Sequence, residues 1–276
     1  MTWHAQLRLD YTAEHGRSVA RFAHDGPLRI LQSLYPEGDA VCHNVLVHPP
    51  GGLVGGDTLQ IDVSAGPGSH GLVTTPGASR FYRSDAGPAV QSAHIRGQAD
   101  SRVEWLPLEA LYYSGCLAQN RLVLALEPGA ELLGWDIAAL GLPQANQPFV
   151  QGEVLQHLEL QGAWLERGRI AAADSRLLDG PLGLAGHRCL ATLFFTAGAP
   201  IARPRRDRLL EAARDVIAAH ALAPTAGATA PGPRVVALRV LADLVEPAIG
   251  LLKSVRRAWR DVAWDLGGND PRGWAL

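Results

Sequence analysis

The sequence predicts a mainly β protein of stacked, solenoid-like sheets, followed by two α-helices in the C-terminal quarter. Three observations carry this prediction. In residues 3–11, Trp3, Ala5, Leu7, Leu9 and Tyr11 fall on one face with polar residues between them, the period of a half-buried strand. Short apolar runs broken by Gly and Pro continue to about residue 196 without any long helical period. A weak repeat also runs through the middle of the chain. A shift of 31 positions aligns Gly66 with Gly97, Pro76 with Pro107 and Phe81-Tyr82 with Tyr112-Tyr113, and carries Thr74 to Trp105 and on to Asp136. Turn-then-strand units at fixed spacing are expected of stacked β layers, although β proteins space their turns regularly in any case.

Taken in order, residues 41–47 read as a strand, and residues 48–57 read His-Pro-Pro-Gly-Gly-Leu-Val-Gly-Gly-Asp. Four glycines and two prolines exclude a regular helix or central strand there. Leu53 and Val54 in its middle predict a loop folded onto a core. Strands are then predicted at 58–63, 89–95, 121–126, 154–160 and 189–196. The period changes near residue 205, where Leu209, Leu210, Ala213, Val216, Ile217 and His220 take helical spacing. Residues 223–233 read as an exposed loop and 235–241 as a strand. A second helix begins near Pro247, with Leu251, Leu252, Val255, Trp259 and Val262 as its apolar stripe. Lys253, Arg256, Arg257 and Arg260 oppose that stripe and read as a solvated face. The whole, 1–276, is expected to be one domain, β-rich over 1–200 and helix-containing over 201–276.

Composition excludes several classes of function. Hydrophobic residues make up 47% of 276 residues, ample for a core, and the formal net charge of −2 offers no field for nucleic acid or anionic lipid. Lys253 is the only lysine among 25 basic residues. The three cysteines, Cys42, Cys116 and Cys189, are odd in number and far apart, which points to reduced thiols and a cytoplasmic protein. No apolar run approaches the ~20 residues of a membrane helix.

Motifs for chemistry are few. In the glycine loop, Asp57 stands where a phosphate loop needs lysine, so a nucleotide reading fails. Cys42, His43 and His48 invite a metal, but Cys42 and His43 point to opposite faces of a strand. Cys42 and His48 would be ~20 Å apart at ~3.3 Å per residue, too far for one ion. The hydrolase elbow Gly-x-Ser-x-Gly is absent. Residues 74–84 carry hydroxyls beside Arg80 and Arg83 and could hold an anion, with no base tied to them. The carboxylates Asp57, Asp136, Glu104 and Glu166 stand beside apolar residues, where burial is costly unless they are paired. Singly each reads as an outward-facing or arginine-paired acceptor, and together they suggest a polar interior path. Isolated carboxylates suit weak, transient contact with a cation. A competing reading is a β-rich hydrolase or isomerase using Asp57 and Asp136 as an acid/base pair.

Several segments resemble the UreD (UreH) family of urease accessory proteins. They are Gly26-Pro27-Leu28-Arg29, Leu34-Tyr35-Pro36-Glu37-Gly38, Cys42-His43, residues 48–57, residues 74–84, Glu104-Trp105-Leu106-Pro107, Gly134-Trp135-Asp136 with Leu140-Gly141, and the ending Pro271-Arg272-Gly273-Trp274. Gln32, Ser33, Arg80 and Leu108 depart from the family's usual residues. The resemblance implies a non-enzymatic scaffold that binds UreF, recruits the GTPase UreG, docks on apo-urease and passes nickel through an internal tunnel to the urease site. No tightly bound cofactor is implied; nickel is contacted transiently. The family's acidic positions map to Asp57, Asp136 and Glu166.

Overall fold

The computed structural model describes residues 2–275. The first strand, β1 (His4–Glu14), follows the alternation in the sequence, with Ala5, Leu7, Leu9 and Tyr11 buried. Trp3, expected on that face, is instead 46% exposed, because it precedes the strand and its backbone serves the glycine loop. β2 (Arg17–Asp25) returns antiparallel to β1, and β3 (Arg29–Leu34) pairs antiparallel with β4 (Cys42–Val47).

Next come the stacked units: β5 (Thr58–Ala65), β6 (His70–Thr74), β7 (Ser79–Phe81), β8 (Ala89–Gly97), β9 (Arg102–Leu106), β10 (Ala110–Tyr112), β11 (Cys116–Leu126) and β12 (Glu131–Leu140). They pair in parallel one turn apart. Thr58 faces Val90, His70 faces Arg102, Ser79 faces Ala110 and Ala89 faces Ala118. These offsets of 32, 32, 31 and 29 positions are the physical origin of the repeat in the sequence. Turns of variable length change the offset, so the repeat is blurred in the residues and clear in the backbone.

β13 (Gly152–Leu160) and β14 (Trp164–Ala171) extend one sheet, and a short helix α1 (Ser175–Asp179), too brief to leave a helical period, follows. β15 (Cys189–Ala197), helix α2 (Arg203–Ala218), β16 (Ala226–Gly232), β17 (Val235–Ala242) and helix α3 (Val245–Trp264) complete the chain. The predicted loop at 223–233 is therefore corrected. It holds β16, which pairs antiparallel with β17 through small residues and carries a register shift between Thr229 and Gly232. Its Ala, Gly and Pro composition hid an edge strand whose order comes from its partner.

Two sheets result: seven strands in the order β14-β13-β11-β8-β5-β1-β2, and ten strands along β16-β17-β15-β12-β9-β6-β4-β3 with β10 and β7 alongside. One core lies between the sheets; a second lies between the ten-stranded sheet and helices α2 and α3. Among the described residues no helix is long and apolar enough to cross a membrane.

The second core corrects another expectation. Arg256 and Arg260 are fully buried, not solvated. Helix α3 lies over the outer face of the ten-stranded sheet with Arg256 and Arg260 on its buried side, while the Arg257 side chain stays 48% exposed. Arg256 and Arg260 meet Glu104 at 2.7 and 3.2 Å, and Arg260 also meets Glu37 at 2.8 Å. His70 and His43 complete the cluster on Glu104 and Glu37, and Asn269, Gly267 and Asp270 of the tail receive the remaining guanidinium groups.

Candidate functional site

Between the sheets, most inward residues are aliphatic. One cross-section is not. In the seven-stranded sheet Gln91, Asn120 and Gln156 stand in register on β8, β11 and β13. In the facing sheet Asp136, Thr192 and Arg239 stand in register on β12, β15 and β17. Hydrogen bonds join them. Ser79 Oγ contacts Gln91 Oε1 at 3.3 Å, Gln91 donates to Asn120 at 3.4 Å, and Asn120 donates to one Asp136 oxygen at 3.0 Å. Gln156 donates to the other Asp136 oxygen. Toward the far edge, Glu166 of β14 reaches across to Arg239.

The rungs on either side are dry: Ala93, Leu122 and Leu158 on one, Ala89, Ala118 and Val154 on the other, all buried. By contrast Gln91, Asn120, Asp136, Gln156, Glu166 and Arg239 are only half-buried although they point between two sheets. The polar rung therefore keeps some solvent contact. At one side it meets a cavity of about 220 Å³ lined by His48, Thr75, Ser79, Arg80, Gln91, Trp105 and Pro107, among others.

The electrostatics fit a wet but confined site. Burial pushes the Asp136 carboxyl up to about 6, with the Gln156 and Asn120 hydrogen bonds only partly opposing it. Burial also raises the Tyr112 phenol, and the Asp136 charge adds to that rise. The His48 imidazole is pushed down by burial, with Asp57 opposing. Its Nε2 has no hydrogen-bond partner among the described residues. Burial pushes the Cys116 and Cys189 thiols up to about 12, so both stay protonated and inert.

The three carboxylates singled out in the sequence are placed differently. Asp136 and Glu166 face the polar layer. Asp57 is buried one rung before it, with its oxygens accepting the Trp3 and Val54 backbone N–H groups at 2.7 and 2.9 Å. It organises the glycine loop and lies near enough to His48 for its charge to act on that imidazole. In that loop Leu53 is buried through backbone bonds to Arg80 and Tyr82, while Val54 stays 42% exposed. At Gly52 a Cβ would lie 2.2 Å from the Tyr82 ring, which explains the glycine there. Among the described residues Asp57 and Asp136 share no hydrogen bond and have separate partners.

Cys42, His43 and His48 point to separate places: toward Asn44 in the core, to Glu37, and into the cavity. Among the described residues no three His, Cys, Asp or Glu side chains gather as a metal cluster. The hydroxyls of 74–84 are largely used within the fold. Thr74 accepts the Trp274 indole N–H, and Thr75 accepts the Leu108 N–H. The terminal Trp274 stacks on Trp135 at 4.9 Å, giving the ending a structural role.

Sequence reasoning missed Gln91, Asn120, Gln156, Thr192 and Arg239. The signal was available. Each occupies the apolar parity of a strand, where a polar side chain must face the interior.

Comparison with known proteins identifies the family. The family model for the UreD urease accessory protein matches residues 4–275. The chain is similar to the urease accessory protein UreD of Variovorax paradoxus, 64% identical over 275 residues with all of both chains covered. It is 62% identical over 276 residues to that of Paracidovorax citrulli, again over the full length of both. To that of Methylibium petroleiphilum it is 48% identical, over 99% of each chain. The chain belongs to the UreD family of urease accessory proteins, and its role is in urease maturation.

Proposed function

We propose that this chain is a non-catalytic cytoplasmic scaffold that binds UreF, recruits the GTPase UreG, docks on apo-urease and passes nickel along the polar layer between its sheets. The observation that carries the nickel path is the half-buried rung of Gln91, Asn120, Asp136 and Gln156 between two dry rungs. Oxygen ligands hold a divalent cation loosely enough to release it, whereas a thiolate cluster would retain it. In this reading Asp57 and His48 flank the opening, Asp136 is the central oxygen contact, and Glu166 is held by Arg239 at the far edge until an arriving cation competes for it.

Coexpression with the urease subunits, UreF and UreG tests the path. Asp136→Asn and Glu166→Gln should leave the assembly intact on size exclusion while lowering the nickel content and activity of the urease produced. Assembly failing in step with activity, or activity unchanged in both variants, rules the path out.

A further inference from the structure

The outer face of the seven-stranded sheet carries no helix, and its two halves differ. On the β1–β2–β5–β8 half most cations have acidic neighbours: Arg8 with Asp10 at 2.8 Å, Arg21 with Glu14 at 2.8 Å, and His94 with Asp62 at 3.7 Å. On the β11–β13–β14 half, Arg121, His157 and Arg167 stand in register across three strands. His157 pairs with Glu159 at 2.8 Å, and Arg169 pairs with Glu153. Arg121 and Arg167 have no ion-pair partner among the described residues. Two strand spacings separate them, roughly 10 Å. Around them Leu117, Leu155 and Leu165 are 39, 38 and 56% exposed. Arg121, Leu155, His157, Arg167 and Arg169 line one depression of about 550 Å³.

We propose that this half-face docks an acidic protein segment, its carboxylates meeting Arg121 and Arg167 and its aliphatic side chains covering Leu155 and Leu165. Charge complementarity selects the occupant. Two unpaired guanidinium groups favour carboxylates, which they bind in a bidentate manner. Arginine is enriched at protein interfaces, and here exposed leucines flank the arginine rung on both sides. Three exposed leucines offer a continuous phosphate backbone nothing to cover. A protein segment with spaced acids satisfies both halves of the patch. Arg121, Leu155, Leu165 and Arg167 all point away from the polar layer, so the patch and the nickel path can fail separately.

The test places the photo-crosslinking residue p-benzoylphenylalanine at Leu155 in the full chain, in cells maturing urease, with the same residue at Gln60 on the other half as control. The expected result is a crosslink from position 155 to a protein segment of net negative charge. Its yield should fall at least tenfold in Arg121→Glu/Arg167→Glu and persist in Arg121→Lys/Arg167→Lys. A synthetic peptide of that segment should bind the purified protein at least tenfold more weakly at 500 mM than at 50 mM salt. No protein crosslink at 155 overturns the proposal. So does a neutral or basic segment, a second copy of this chain, a nucleic acid or lipid adduct, or a yield indifferent to charge reversal in a variant with unchanged circular dichroism.

Discussion

The molecule has two polar interiors, and they obey opposite rules. Beneath helix α3 the cluster of Glu37, Glu104, Arg256, Arg260, His43 and His70 is dry and saturated with ion pairs. Burial alone would raise the Glu104 pKa, yet Arg256, His70 and Arg260 reverse this and hold it well below the usual carboxylate range. Between the sheets, Asp136 has only amide partners, and burial prevails, leaving it near neutrality. A carboxylate surrounded by cations has been provided for by the fold. One left among neutral amides in a wet layer costs stability, and such costs accumulate at functional sites.

The largest test of this contrast is Glu104→Gln. Removing the charge leaves two buried guanidinium groups without their shared counter-charge, which should cost about 3–5 kcal/mol in chemical denaturation. The sign with pH follows from the lowered pKa. The stability that Glu104 contributes is complete above its unfolded pKa of about 4.5 and is lost as pH falls toward the folded value. A cost below about 1 kcal/mol would mean that water already reaches the cluster, and the contrast would fail.

The glycine loop at the mouth of the layer gives the next effect. Gly52→Ala sets a Cβ 2.2 Å from Tyr82 Cε2 and 2.8 Å from its Cδ2. The ring also packs at a tilt against Tyr113, with centroids 4.9 Å apart, which resists its displacement. Overpacking of this kind should cost about 1–3 kcal/mol, read as a lowered denaturation midpoint. A neutral outcome would show that the loop adapts, and that it does not fix the shape of the opening.

Asp136→Asn should act in the other direction. With its folded pKa raised from 3.8 to about 6, Asp136 destabilises the fold increasingly as pH rises through that window and fully above it. The variant should therefore be more stable by about 3 kcal/mol at pH 7.5, with the gain vanishing near pH 4. The Gln156 and Asn120 amides can turn over to accept from the new amide. Thermal unfolding at the two pH values decides this, and a destabilised variant at pH 7.5 would make Asp136 a structural acceptor.

This contrast also explains what the sequence could convey. Alternation in residues 3–11, the glycine loop and the 31-residue spacing depend on local order, so the β layers were legible, as were helices α2 and α3. Arg256 and Arg260 of α3 were misread because nothing local says that Glu104 and Glu37 will lie beneath them. Glu104 and Arg256 are 152 positions apart, and only the fold makes them partners. β16 was missed for the same reason, its order being borrowed from β17. In the candidate site, Asp136 and Glu166 stood out as charges in apolar strands, whereas the amides joining them attract no notice until register is known.

The smallest stability effect is expected at Glu166, where it most sharply separates transport from folding. Its pair with Arg239 crosses from one sheet to the other, but the side chains keep 31 and 40% exposure. Pairs with that much solvent contact contribute little, about 0–1 kcal/mol, so Glu166→Gln should unfold within about 1 kcal/mol of the parent. Burial lowers the Arg239 pKa, which means that its charge is held in place against desolvation and gains from any anion at the edge of the layer. Without Glu166 the uncompensated Arg239 would repel an approaching divalent cation. Nickel content of the matured urease should then fall although stability hardly changes. Restoring neutrality with Glu166→Gln/Arg239→Gln should recover part of the loss, because the repulsion goes with the arginine. If the single variant instead loses several kcal/mol, the pair is a structural clasp like the cluster beneath α3, and the layer ends before it.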